Sequence, residues 1–278
     1  MTQFEAPAGR SPEPEPTARA LEAGGVAARQ IECGRVGVSH LALNDAVELV
    51  LGWVLENRVS APLGRGVHLV NAWTVVLAER DQRLAEALMP PAINLPDGTP
   101  IVWNARLRSH HVPRERVRGP QFFLDVLDRG REFDVSHYFL GSTPETLARL
   151  NAKVSSRLPG VRIAGFDSPP FRPLSEEELS SQDSRIIASG AEIIWVGLGT
   201  PKQDLETERL ASSIPAIAAA VGAAFDFTAG TIATAPAWMR DHGLEWVHRL
   251  VSEPRRLWRR YLIGNAQFIR IATRKPVP

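Results

Sequence analysis

Two short stretches carry residues that could do chemistry. In residues 193–204, four large apolar residues (Ile193, Ile194, Trp195, Val196) end at Gly197-Leu198-Gly199, and Thr200, Pro201, Lys202 and Gln203 follow. A buried strand that breaks at glycines and opens a helix is a natural anion site. Gly197 and Gly199 let the backbone approach a ligand, and the first amides of the helix point outward at the positive end of its dipole. Lys202 adds a charge and Gln203 an amide at that mouth, which suits a phosphorylated small molecule; an ordinary strand-to-helix turn fits the same letters. The second stretch is Pro96-Asp97-Gly98. A turn carboxylate in a cleft can take the proton of an attacking hydroxyl, and a Pro-Asp-Gly aspartate can equally bond its own backbone. A third acid, Asp226, sits among apolar residues near the end of a strand-like run. It needs a partner, either a ligand or its own backbone amides.

The elements that must position these groups alternate. Strand-like runs are "GVHLVNA" (66–72), "HYFLGS" (137–142), "VRIAGF" (161–166), "EIIWVGLG" (192–199) and "AIAAAVGAAFDF" (216–227). Between them lie helical patterns. Val47, Val50, Leu51 and Val54 predict a helix over 45–55, with Asn44 as a candidate cap. Residues 73–89 read as one helix, 122–132 as another, and Leu147, Leu150, Val154 and Leu158 mark a third, capped by Ser142 or Thr143. Alternation of this kind predicts an α/β fold: a mostly parallel sheet flanked by helices, Rossmann-like, with the ligand at the carboxyl ends of the strands.

Composition bounds the rest. Of 278 residues 44% are apolar and 23% charged, with a net charge of +1, an ordinary globular balance that gives no electrostatic case for nucleic acid. Cys33 is the only cysteine, so no intrachain disulfide can form and a cysteine-based metal site is not expected. No apolar run has the roughly 20 residues of a membrane span. The expected organisation is a disordered Pro- and Glu-rich extension over 1–33, an α/β domain over 34–243, and a helical appendage over 244–278.

That appendage carries Arg249, Arg255, Arg256, Arg259 and Arg260. With Pro254 at a helix start, Arg255/Arg259 and Arg256/Arg260 become i, i+4 pairs in a basic band. Leu257, Tyr261 and Phe268 form an apolar stripe, with Trp258 and Leu262 beside it. A basic amphipathic helix suits an anionic membrane surface, and arginine suits a diphosphate; an ordinary surface helix packing its stripe on its own core has the same spacing. His110-His111 reads as solvated rather than metal-binding, because adjacent strand side chains diverge. Asp125 and Asp128 read as a polar helix face. No Asp-x-Asp triplet occurs.

Several motifs in order resemble the WecG/TagA/CpsF glycosyltransferases: "NLPDGTPIVW" (94–103), "ERVRG" (115–119), "FLGSTPETL" (139–147), "SPPF" (168–171), "WVGLGTPKQD" (195–204), "VGAAFDFTAG" (221–230) and "APAWMRDHGLEWVHRLVSEPRRLWRRYL" (235–262). The resemblance covers roughly residues 66–268. It implies an inverting enzyme that needs no metal or other cofactor. Such an enzyme moves a sugar from a UDP-sugar donor (N-acetylmannosamine, another hexose or a uronic acid) to a saccharide on a polyprenyl diphosphate, in bacterial surface polysaccharide synthesis. It implies Asp97 as the base, and Asn71, Gly197, Gly199, Lys202, Gln203 and Asp226 around the nucleotide or its sugar. The appendage arginines would serve the lipid diphosphate or an anionic inner-membrane surface, which places the enzyme in the cytoplasm, peripheral on the inner face of that membrane. A homo-oligomer is compatible with this, and the sequence does not set its number.

Three departures matter. Asp204 replaces the family's usual glutamate, keeping the charge on a shorter side chain. Leu69 stands where a threonine is common, and Thr234 where an arginine often precedes Ala235-Pro236. The last two remove polar contacts and keep open a non-catalytic relative that binds a lipid-linked saccharide or a partner enzyme. A nicotinamide-dependent oxidoreductase fits poorly, because Gly197-Leu198-Gly199 continues to Lys202 where the dinucleotide fingerprint needs a third glycine.

Overall fold

The computed structural model describes residues 30–108, 116–236, 238–239 and 242–274. It opens on a hairpin. β1 (Gln30–Cys33) and β2 (Val36–Ser39) pair antiparallel, with Cys33 opposite Val36 across Gly34-Arg35. Residues 30–33 therefore do not belong to a disordered extension. Ile31 and Cys33 alternate with Gln30 and Glu32, and once folded back by the turn their apolar side is buried.

A six-stranded sheet forms the frame, in the order β4-β3-β8-β7-β5-β6, with every neighbouring pair parallel. Its strands are β3 (Arg65–Val70), β4 (Ile93–Pro96), β5 (Ser136–Gly141), β6 (Arg162–Asp167), β7 (Ile193–Gly197) and β8 (Ile217–Ala220). The flanking helices are α1 (Leu43–Val59), α2 (Ala72–Ala78), α3 (Gln82–Ala87), α4 (Thr99–Arg108), α5 (Gly119–Gly130), α6 (Pro144–Arg157), α7 (Glu176–Ser189), α8 (Lys202–Ser213) and α9 (Ala224–Ala229). The α/β fold with a parallel sheet is as the alternation predicts. β7 and β8 are buried along almost their whole length, because helices cover both faces.

Local chemistry adjusts the boundaries. α1 starts before Asn44, which lies in its first turn; the N–H of Ala42 is met at 3.4 Å by the Asp45 carboxylate. The helix expected over 73–89 is two, because Asp81 caps a new start by accepting from the N–H groups of Arg83 and Leu84. Thr143 caps α6 through the N–H of Thr146 at 3.2 Å. The run 216–227 is not one strand: β8 stops at Ala220, Gly222 turns the chain at φ +54°, and α9 follows. Asp226 thus sits in the first turn of a helix, not near the end of a strand.

The main core lies between the sheet and α1, α5, α6 and α9. Its aromatic centre sets Phe123 edge-on to Trp195 at 5.0 Å and within 5.6 Å of Phe139 and Phe225. The C-terminal segment is helical: α10 (Glu245–Ser252), α11 (Pro254–Trp258), a π-helical turn (Arg259–Ile263) and α12 (Gly264–Ala272). Phe268 and Ile271 of α12 enter a second core cluster with Cys33, Val36, Val38, Val70, Val75 and Ile101. Gly264 lies against Trp73 of α2. Among the described residues no helix is long and apolar enough to cross a membrane.

Candidate functional site

In a parallel sheet all strands present their carboxyl ends to one side, and the strand order here reverses between β4 at one edge and β5 far across the sheet. The loops leaving β3, β4, β5, β7 and β8 therefore converge. They line a cleft of about 2090 Å³, which the C-terminal segment closes from above. Asn71, Asp97, Gly197, Gly199, Lys202, Gln203, Asp226, Arg249, Arg259 and Arg260 all line it.

Asp97 is pinned by backbone bonds on both sides. Its N–H donates to the carbonyl of Val70 at 2.8 Å, and the carbonyl of Pro96 accepts from Val117 at 2.8 Å. The carboxylate is half-buried but sunk deep in the cleft. Loss of surrounding water pushes its pKa up to about 6, against the downward pull of Arg116, Arg260 and Arg118; Glu245 adds to the rise. A carboxyl near 6 is matched to taking a proton at neutral pH.

Arg116 and Arg118 share one partner. Glu245, at the start of α10, meets the Arg116 guanidinium at 2.8 Å and accepts from Arg118 Nε at 3.3 Å, with a closer contact to Arg118 Nη2. This knot fixes the C-terminal segment beside the Asp97 turn. Sequence reasoning used residues 115–119 as a family mark and assigned these arginines no role. The available signal was their alternation around buried Val117, which turns both toward the same side of an extended chain.

The glycine turn is built differently from the expectation. Gly197 is held by packing, since an added Cβ would lie 2.6 Å from the Phe225 ring. Gly199 is required by its φ of +77° and has open space around it. Gln203 is buried and braces its own turn: Oε1 accepts the Gly199 N–H at 3.0 Å, and its backbone N–H donates to the Gly199 carbonyl at 3.0 Å. Lys202, exposed at the first position of α8, is the charge this turn offers to the cleft.

Asn71 caps α2, its Oδ1 accepting from Trp73 at 3.0 Å and Thr74 at 3.3 Å. That leaves the amide nitrogen to donate into the cleft. Asp226 has a partner in the Thr231 hydroxyl at 3.2 Å. Leu69 and Thr234, the two departures, both line the cleft.

The expected basic band divides. Arg249 lies over the Phe227 ring at 5.3 Å and pairs with Glu253 at 3.8 Å. Arg260 is half-buried over Tyr261, and Arg259 is exposed beside Trp258. Arg255 is exposed and does not line the cleft. The π-helical turn has more residues per turn than an α-helix, so i, i+4 spacing does not carry one band through it. The side chain of Arg256 and the pair His110-His111 lie outside the described residues. Asp125 accepts from Gln121 at 2.6 Å and Asp128 pairs with Arg131, a polar helix face. Among the described residues no group of three or more His, Cys, Asp or Glu side chains could hold a metal ion.

Asp204 faces away from the cleft. It is fully buried and meets His68 Nδ1 of β3 at 3.1 Å. Near it, Asp204 Oδ2, His68 Nε2 and Thr207 Oγ1 have no hydrogen-bond partner among the described residues. The pair ties the first turn of α8 to the strand that carries Asn71. Asp204→Ala is expected to strand the imidazole and lower stability by roughly 2–3 kcal/mol, read as a shifted urea midpoint. An unchanged midpoint would show that the pair contributes nothing.

The cleft thus joins a poised carboxylate, a helix start with a lysine, and a positive wall from the C-terminal segment. Such a site can deprotonate a hydroxyl beside a bound anion. A family model described as the glycosyl transferase WecG/TagA/CpsF family matches residues 31–277. That match spans nearly all of the sequence, including every group just described, and the chain belongs to the WecG/TagA/CpsF family of glycosyl transferases.

Proposed function

We propose that the protein transfers a sugar, with inversion, from a UDP-sugar to a saccharide carried on a polyprenyl diphosphate. The observation that carries this reading is Asp97, raised to about 6 in a cleft between the glycine turn and the C-terminal arginines. Asp97 takes the proton of the acceptor hydroxyl as its oxygen bonds to the anomeric carbon. The bond from that carbon to the donor phosphate breaks in the same step, and UDP leaves with the electron pair. Charge grows on the departing phosphate, where the Gly199 turn, the start of α8 and Lys202 stabilise it. Arg249, Arg259 and Arg260 serve the lipid diphosphate, bidentate donors for a doubly anionic group.

We also propose that the enzyme works at the cytoplasmic face of an anionic inner membrane. Val251, Trp258, Leu262 and Ile263 are exposed on the C-terminal segment among its arginines, a pairing of apolar and basic groups suited to such a surface.

The test is UDP release from a panel of UDP-sugars, with EDTA present, using a synthetic lipid-diphosphate monosaccharide or disaccharide. Acceptor-dependent release from one donor is the expected result. Measurable UDP binding with no release from any donor or acceptor would overturn the reading in favour of a non-catalytic relative.

A further inference from the structure

The cleft has an apolar wall that the chemistry above does not use. α4 begins two residues after Asp97. Its inner face, Ile101, Val102 and Ala105, is buried, whereas Trp103 and Leu107 on the other side are 60% and 86% exposed. These two stand at i and i+4, one above the other on one face, and both line the cleft. At 1.5 Å per residue they lie about 6 and 12 Å along the helix from Thr99, so the wall runs outward from the base. α12 offers Ile269, 61% exposed and also lining the cleft. Ile101 of α4 and Phe268 of α12 belong to one core cluster.

A carboxylate, the arginines of the π-helical turn and apolar side chains thus line one cleft. We propose that the apolar stretch of the cleft lined by Trp103, Leu107 and Ile269 is a groove that holds the hydrocarbon chain adjoining the acceptor's diphosphate. This rests on the lipid-diphosphate reading of the acceptor. Two observations favour a single chain over a bilayer as the occupant. The groove residues line the cleft, whereas Val251, Leu262 and Ile263 are exposed outside it. Arg259 and Arg260 line the same cleft, supplying charge complementary to a diphosphate at one end of an apolar tail.

The test is calorimetric titration of the full-length protein with farnesyl diphosphate and, separately, inorganic diphosphate. The wild-type protein should bind farnesyl diphosphate the more tightly. Trp103→Ser/Leu107→Ser should lose at least about tenfold of that affinity and leave inorganic diphosphate binding unchanged. Both side chains are exposed, so the double variant should keep the wild-type melting temperature. Equal wild-type affinity for the two ligands would overturn the proposal, as would undiminished farnesyl diphosphate binding by the double variant. It also fails if Val251→Ser/Leu262→Ser causes the larger loss, because the tail then rests on the outer face. Failure of the transferase reading shows separately, as absent UDP release by the wild-type enzyme.

Discussion

Asp97→Asn is expected to lower sugar transfer by roughly 10²–10⁴-fold, the usual contribution of a positioned base, while UDP binds with unchanged affinity. In the wild-type enzyme, kcat/KM should fall tenfold per pH unit below about pH 6, because only the ionised carboxylate accepts a proton. Removing Arg260 takes away a cation that holds the carboxyl down, so the acid limb should move to higher pH. Removing Glu245 should move it to lower pH. Asp97→Asn should also stabilise the fold. The carboxyl binds its proton more tightly in the folded protein (about 6) than in the unfolded chain (3.8), so ionisation opposes folding. That cost is complete above pH 6, shrinks as pH falls through 6, and vanishes below 3.8. Allowing for the open side of the cleft, Asp97→Asn should gain roughly 1–2 kcal/mol at pH 8 and nothing at pH 3.5, read from urea melts. Transfer within tenfold of wild type would remove Asp97 as the base; equal stability at pH 8 would refute its desolvation.

Phe268→Ala should cost roughly 3–5 kcal/mol, as for a large core aromatic, and Leu262→Ala within about 0.5 kcal/mol, as for an exposed position. The two residues lie on one C-terminal segment but face different surroundings: Phe268 is 3% exposed, Leu262 58%. Leu262→Ala should instead weaken cosedimentation with anionic vesicles. If Phe268→Ala left the denaturation midpoint unchanged, α12 would be a detachable arm, and the apolar stripe read from its sequence would belong to a membrane rather than to the core.

How much was legible follows from the range of each interaction. β3, β5, β6 and β7, the Thr143 cap and the helix after Lys202 are local, and short-range spacing revealed them; β1, β2 and β4, four residues each, left no such signal. Asp97 drew notice as the acid of a Pro-Asp-Gly turn, and Asn71 through the family resemblance. Gln203 lines the cleft, and its amide oxygen also closes a bond four residues back, a self-contact that composition does not encode. The knot of Arg116 and Arg118 with Glu245 spans more than half the α/β domain in sequence, and no periodicity links residues so far apart. The break between β8 and α9 hid inside continuous apolar letters, where strand and helix look alike until a glycine adopts a positive φ. The π-helical turn was invisible because it changes phase, not composition.

The shared cluster of the hairpin and α12 has a consequence for biosynthesis. Cys33 and Val36 are made well before Phe268 and Ile271, which join them in one cluster. β2 meets β4 and β1 meets α4, so part of the hairpin's apolar side is covered before α12 is made. Closure of the second core therefore waits for α12, the last of that cluster's elements to be made. Until then the place that Phe268 and Ile271 fill stays open on the nascent chain, the condition under which chaperones are most needed.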